Sequence, residues 1–223
     1  MMNVYLVRHG ETEFNIAKRI QGWSDSPLTE KGKKEVAQTG QLFQAAHIQF
    51  DAAFCSTSFR AEHTTNIILD AVQQNHLNIN KLDELREFHF GQFEGKDGND
   101  LHRLLAKQNG FGDDVHAWLK AYRYGNQHLL AQSIQSLDAS AENEQLFNQR
   151  LQRAWYKIIG QGLPESNILV VSHGMSIVAM LKAIDAQSTI YKSPPNASVT
   201  HLTFSPQQGL RLQSKVGEAL LDA

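Results

Sequence analysis

Two short segments place a histidine between a charged or polar residue and a glycine: Arg8-His9-Gly10 and Ser172-His173-Gly174. Each follows a run of β-forming apolar residues, Val4-Tyr5-Leu6-Val7 and Ile168-Leu169-Val170-Val171. A second arginine, Arg60, stands just past a third such run, Asp51-Ala52-Ala53-Phe54-Cys55-Ser56. Paired arginines suit a phosphoryl group, because the guanidinium fork matches phosphate oxygens and stays charged at any working pH. A neutral imidazole can attack phosphorus and form a covalent phosphohistidine, splitting the transfer into two steps. Arginines then stabilise charge on the equatorial oxygens. A carboxylic acid is needed to protonate the departing oxygen and later to deprotonate water. Glu87, at the end of the extended segment Leu82–Glu87, is the best-placed carboxyl. No His-Glu-x-x-His or related spacing occurs, so neither a metal nor a cofactor is expected.

These residues act together only if the fold gathers them. Short apolar runs alternate with helical patterns, which predicts an α/β sandwich of three layers around a mostly parallel sheet. A parallel sheet brings the carboxyl ends of its strands to one edge, so Arg8, His9, Arg60 and His173 are expected to converge. Thr29 reads as the cap of a helix through Val36, Gly40, Leu42 and Phe43. A helix starts at Ser58-Phe59-Arg60, and another follows His173 through Ile177, Met180, Leu181 and Ile184. Residues 199–204 and 210–216 read as two strands joined by a turn, giving the sheet an antiparallel edge. The whole chain, 1–223, is expected to be one domain. A helical insert over about 96–150 carries Phe111, Trp118, Tyr122 and Tyr124 and is expected to cap the site.

Composition narrows the function. The chain has 223 residues, 41% hydrophobic and 20% charged, with a net charge of -2. That balance fits a globular domain and gives no electrostatic case for nucleic acid or an anionic membrane. No apolar stretch approaches the roughly 20 residues that span a bilayer, and no signal peptide is evident at the start, so a cytoplasmic location is expected. The single cysteine, Cys55, sits in an apolar run and reads as a buried, inert thiol. Taken singly, Arg60 reads as a surface helix residue and His173 as a loop histidine. Only their joint placement carries the functional reading.

The segment Leu6-Val7-Arg8-His9-Gly10-Glu11-Thr12-Glu13-Phe14-Asn15 resembles the signature of the histidine phosphatase superfamily, the phosphoglycerate-mutase-like proteins. The resemblance continues through Gln21-Gly22-Trp23-Ser24-Asp25-Ser26-Pro27-Leu28-Thr29-Glu30 and returns at Ser56–Thr65, at Leu85–Gly95, at Val170–Gly174 and at Pro195–Val199, in family order. It implies that His9 is the phosphorylated nucleophile and Glu87 the proton donor. Arg8, Arg60 and His173 would form the phosphate pocket, assisted by the Gly174 amide and the Asn15 side chain. Gln21 and Gly22 match positions that line the substrate pocket, while Glu11 and Glu94 would orient the loops.

The family contains both mutases and phosphatases. In mutases the acid-bearing loop resembles Glu-Arg-x-Tyr-Gly followed by Leu-Gln-Gly, and the insert carries paired arginines and a proline-rich stretch. This chain has Glu87-Phe88-His89-Phe90-Gly91, then Phe93-Glu94-Gly95, with Arg103 and Arg123 standing alone and a single proline, Pro164, between Lys96 and Ser166. The expectation is therefore a phosphatase acting on a small phosphorylated metabolite. The alternatives are a 2,3-bisphosphoglycerate-dependent mutase and a non-catalytic phospho-ligand binding domain. Sugar phosphates, phosphoglycerates, α-ribazole phosphate and phosphoproteins all fit as substrates at this level, and the sequence does not fix the oligomeric state.

Overall fold

The computed structural model describes residues 1–125, 129–187 and 189–218. Within them run β1 (Met2–Arg8), α1 (Glu13–Ile16), α2 (Glu30–Ala45), β2 (Ala52–Ser56), α3 (Phe59–Ala71), β3 (Ile79–Leu82), α4 (Gly98–Gln108) and α5 (Val115–Tyr124). After them come α6 (Leu129–Leu137), α7 (Glu144–Gln161), β4 (Asn167–Ser172), α8 (Gly174–Lys182), β5 (Val199–Ser205) and β6 (Gly209–Leu212).

The strands form one sheet in the order β3-β2-β4-β1-β5-β6. β3, β2, β4 and β1 are parallel. β5 runs antiparallel to β1, and β6 antiparallel to β5. The central strands alternate between two cores, as the period-2 pleat requires. Leu6, Phe54, Ile168 and Val170 face one side with α7 and α8 residues such as Phe147, Ala154 and Ile177. Tyr5, Val7, Cys55, Leu169 and Val171 face the other with Val36 and Phe43 of α2 and Ile68 of α3. These are the three layers.

Four local expectations change. The segment before Glu87 is not extended throughout: the strand is Ile79–Leu82, and Asp83–Leu85 is a 3₁₀ turn closed by the Arg86 amide on the Asp83 carbonyl. α8 begins at Gly174 itself and ends at Lys182, so Ile184 lies beyond it. β6 stops at Leu212 because pairing beyond it shifts: the Gln213 amide bonds the His201 carbonyl, and the Ser214 hydroxyl takes the His201 amide. The insert limit expected near 150 falls inside α7, which packs on α8 and on the Asp83–Leu85 turn.

Candidate active site

Strand register sets the first distance. Arg8 pairs with Ser172 across β1 and β4, so the residues that follow, His9 and His173, emerge side by side. The His9 amide donates to the Ser172 carbonyl at 3.0 Å, and the two imidazole centroids lie 5.2 Å apart. Cys55 pairs with Val171 on β4's other side, and the chain then turns into α3, delivering Ser58 and Arg60.

His9 is oriented by its own backbone. Its Nδ1 lies 2.8 Å from the Gly10 carbonyl. A carbonyl only accepts, so Nδ1 carries the proton and Nε2 keeps its lone pair. Burial, then the charges of Arg60 and Arg8, hold its pKa well below the ordinary value of 6.5. The same causes, burial first and Arg60 next, depress His173. Gly10 is required beneath this turn, since a Cβ there would meet Val36 at 2.6 Å.

His173 is tied to α3. Its Nε2 lies 3.2 Å from the Ser58 hydroxyl, which lies 3.2 Å from that of Ser56. The Ser56 oxygen in turn accepts from the Ser58 amide. With the Ser58 hydroxyl donating to Nε2, His173 Nδ1–H becomes a donor, buried and without an acceptor among the described residues. Arg8 Nε and Arg60 Nε share that condition. The Gly174 amide, first in α8, has no intrahelical acceptor and takes no cap from the His173 side chain, and its Cβ position is 3.4 Å from Arg8 Nε. Buried N–H groups are rarely left unpaired. A phosphoryl group, anionic and rich in acceptors, matches such donors at a helix N-terminus.

The two arginines are held differently. Arg8 gives Nη1 to the Pro194 carbonyl at 2.7 Å. Arg60 is fully buried, and its fork is taken by the 21–25 loop: Nη1 by Ser24 O and Asp25 Oδ1, Nη2 by Gly22 O at 2.8 Å. The bidentate grip expected of Arg60 is thus spent on protein groups, leaving Nε and its charge for the site.

Glu87 lies against the same helix end. Its Oε1 accepts from the Phe88 and Ser176 amides and the Ser176 hydroxyl, and Oε2 from the Met175 amide at 2.9 Å. Oε2 keeps a second lone pair that a proton can occupy. Glu87 and Arg8 line one cavity of about 580 Å³.

The remaining expected residues divide. Asn15 lines the cavity; its Oδ1 accepts from the Thr12 amide and Asn196 Nδ2, which leaves its own Nδ2–H₂ to donate. Gln21 also lines it, but its side chain is bound to Thr12 and Ser26. Gly22 does not belong to the lining, because its amide donates to Glu94 and a Cβ would meet the Phe88 carbonyl at 2.1 Å. Glu94 takes the Gly22, Trp23, Ser24 and Phe90 amides, and Glu11 holds Thr29 and Lys31, so both organise loops. In the insert, Trp118 is core, Tyr122 lines the cavity and Tyr124 is exposed. Burial pushes the Cys55 thiol up to about 12.

Sequence reasoning missed the support behind these groups. Arg150 of α7 forms a buried pair with Glu142 and donates to the Glu84, Arg86 and Glu87 carbonyls. Trp23 Nε1 donates to the same Glu87 carbonyl. A signal existed for Arg150, an arginine on the apolar stripe Phe147-Leu151-Ala154. Ser58 and Ser176 carried none, since a lone serine has no distinguishing spacing.

A family model described as the histidine phosphatase superfamily (branch 1) matches residues 4–214. A 2,3-bisphosphoglycerate-dependent phosphoglycerate mutase from Streptococcus agalactiae is 36% identical over 199 residues, covering 82% of this chain and 84% of that protein. The crystal structure of a phosphoglycerate mutase from Bacillus anthracis superposes with a TM-score of 0.86 at 32% identity, covering 97% of this chain and 93% of the other. A Bacillus stearothermophilus protein, YhfR, gives 0.78 at 25% identity over 99% of each chain. With a family match across nearly its whole length, the chain belongs to the histidine phosphatase superfamily.

Proposed function

We propose that this chain cleaves a small phosphomonoester through a phosphohistidine on His9 and passes the phosphoryl group to water. The observation that carries the reading is the His9 Nδ1 contact with the Gly10 carbonyl inside a buried, doubly cationic site. It supports a neutral imidazole with Nε2 as nucleophile. Nε2 attacks phosphorus, and the P–O ester bond breaks as Glu87 gives its proton to the departing oxygen. Glu87 then takes a proton from water, whose oxygen attacks phosphorus and breaks the P–N bond. The charges of Arg8 and Arg60, the His173 Nδ1–H and the Gly174 amide would hold the equatorial oxygens.

A second reading, a bisphosphoglycerate-dependent mutase, is favoured by similarity, since the Streptococcus agalactiae relative bears that name. Water as acceptor is favoured by the residue after Glu87. Phe88 is fully buried against Phe90 and Phe147, so that position presents no cation to a second acidic group.

The deciding experiment measures phosphate release from a panel of phosphomonoesters in EDTA beside a coupled mutase assay with 3-phosphoglycerate and 2,3-bisphosphoglycerate. Release exceeding mutase turnover is expected. Mutase turnover exceeding release would move the chain to the second reading. Protein label from a ³²P substrate, stable in base and lost in acid, is expected in either case, and its absence would leave only a phospho-ligand binding domain.

A further inference from the structure

The cavity over Glu87 extends well beyond a phosphoryl group. Part of its lining is apolar, with Phe90, Leu101, Leu119, Leu130 and Val178. Four exposed cations also line it, Lys18, Arg19, Arg123 and Lys192. Glu87 is the only carboxylate among the lining residues. None of these four cations has a carboxylate within ion-pair distance among the described residues. The chain as a whole is slightly acidic, so this is a local concentration of charge.

Two of these cations are built into one frame. Arg123 lies in the last turn of α5, and its carbonyl accepts the Tyr191 amide at 2.9 Å. Three residues further on, the Pro194 carbonyl accepts from Arg8. Three residues of chain reach at most about 10 Å, which bounds the span between these two hydrogen-bonded points of the backbone. His102 of α4 lines the cavity beside Arg123, and burial and that cation together keep its imidazole below the ordinary range. It therefore adds a neutral hydrogen-bonding group rather than a competing charge. The Tyr122 and Tyr191 rings, stacked at 5.4 Å, back this corner.

Cations without carboxylate partners lining a cavity favour an anion, and its apolar lining favours a ligand body that needs no hydrogen bonds. Resting on the phosphomonoesterase reading, we propose that Arg123 and Lys192 form a second anion subsite, and that the substrate carries a further acidic group separated from its phosphoryl group by an apolar body. A short phosphorylated hydroxy acid offers the second charge without that body.

The test is binding, which needs no turnover. Calorimetry on the full chain would compare phenylphosphonate with its 4-carboxymethyl derivative, for the wild type and for Arg123→Gln, Lys192→Gln and Arg123→Lys. At least tenfold tighter binding of the carboxylated ligand is expected. That ratio should fall to within twofold of one in Arg123→Gln, fall in part in Lys192→Gln and largely survive in Arg123→Lys. Equal wild-type affinities, no binding of either ligand, or an unchanged ratio in Arg123→Gln would overturn the proposal. Failure of the phosphatase reading would show separately, as absent phosphate release from phenyl phosphate while the affinity ratio persists.

Discussion

His9 and His173 face each other with centroids 5.2 Å apart, yet the protein treats their rings differently. His9 is anchored at Nδ1 by a carbonyl, which exposes an Nε2 lone pair. His173 is anchored at Nε2 by a hydroxyl, which leaves Nδ1 as the free nitrogen. In the proposed reaction one ring attacks and the other donates.

His9→Ala should therefore abolish phosphate release while leaving the fold intact, because no neighbouring group supplies the covalent step. Phosphate release and circular dichroism check the two halves. Activity within tenfold of wild type would sink the nucleophile assignment.

The pH dependence follows from the depressed imidazoles. In the unfolded chain, histidines take up protons near pH 6.5, whereas His9 and His173 in the folded protein resist protonation until well below it. Between those limits the unfolded state binds more protons, so stability rises with pH up to about 6.5 and is flat above. Melting temperatures from pH 5 to 8 should show that slope. In NMR titrations the two rings should show no midpoint between pH 6 and 8. A His9 midpoint at or above 6.5 would contradict the neutral nucleophile.

Glu87→Gln should slow an alkyl phosphate by roughly 10²–10⁴ and p-nitrophenyl phosphate much less, since nitrophenolate leaves without a proton. The glutamine amide would also point N–H₂ at an amide that now donates to Oε1 or Oε2, so a loss of about 1 kcal/mol in stability accompanies it. Equal rate losses on both substrates would remove Glu87 from the acid role.

Arg150→Met should unfold more readily by about 3–5 kcal/mol, because it strands Glu142, only 11% exposed, and frees three carbonyls around Glu87. Denaturant titration measures the loss. The double variant Arg150→Met with Glu142→Leu should recover part of it, since no charge is then buried alone.

The sequence by itself determined five of the six strands, most helices and the cluster of candidate site residues. Their signals are local: apolar runs ending in Arg8-His9 and His173, a Thr29 cap, a glycine under each histidine turn. Parallel pairing then sufficed to bring Arg8, His9, Arg60 and His173 together, as β-strand register carries neighbours to one edge. Tertiary structure alone decided how each group is used. Arg60 gives its fork to the 21–25 loop, Gly22 gives its amide to Glu94, and Glu87 is seated on the first amides of α8. These outcomes depend on hydrogen-bond partners as much as 89 residues apart, which no local spacing records. The choice among partners is set by the need to satisfy every buried polar group at once, and that need exists only when the chain is folded.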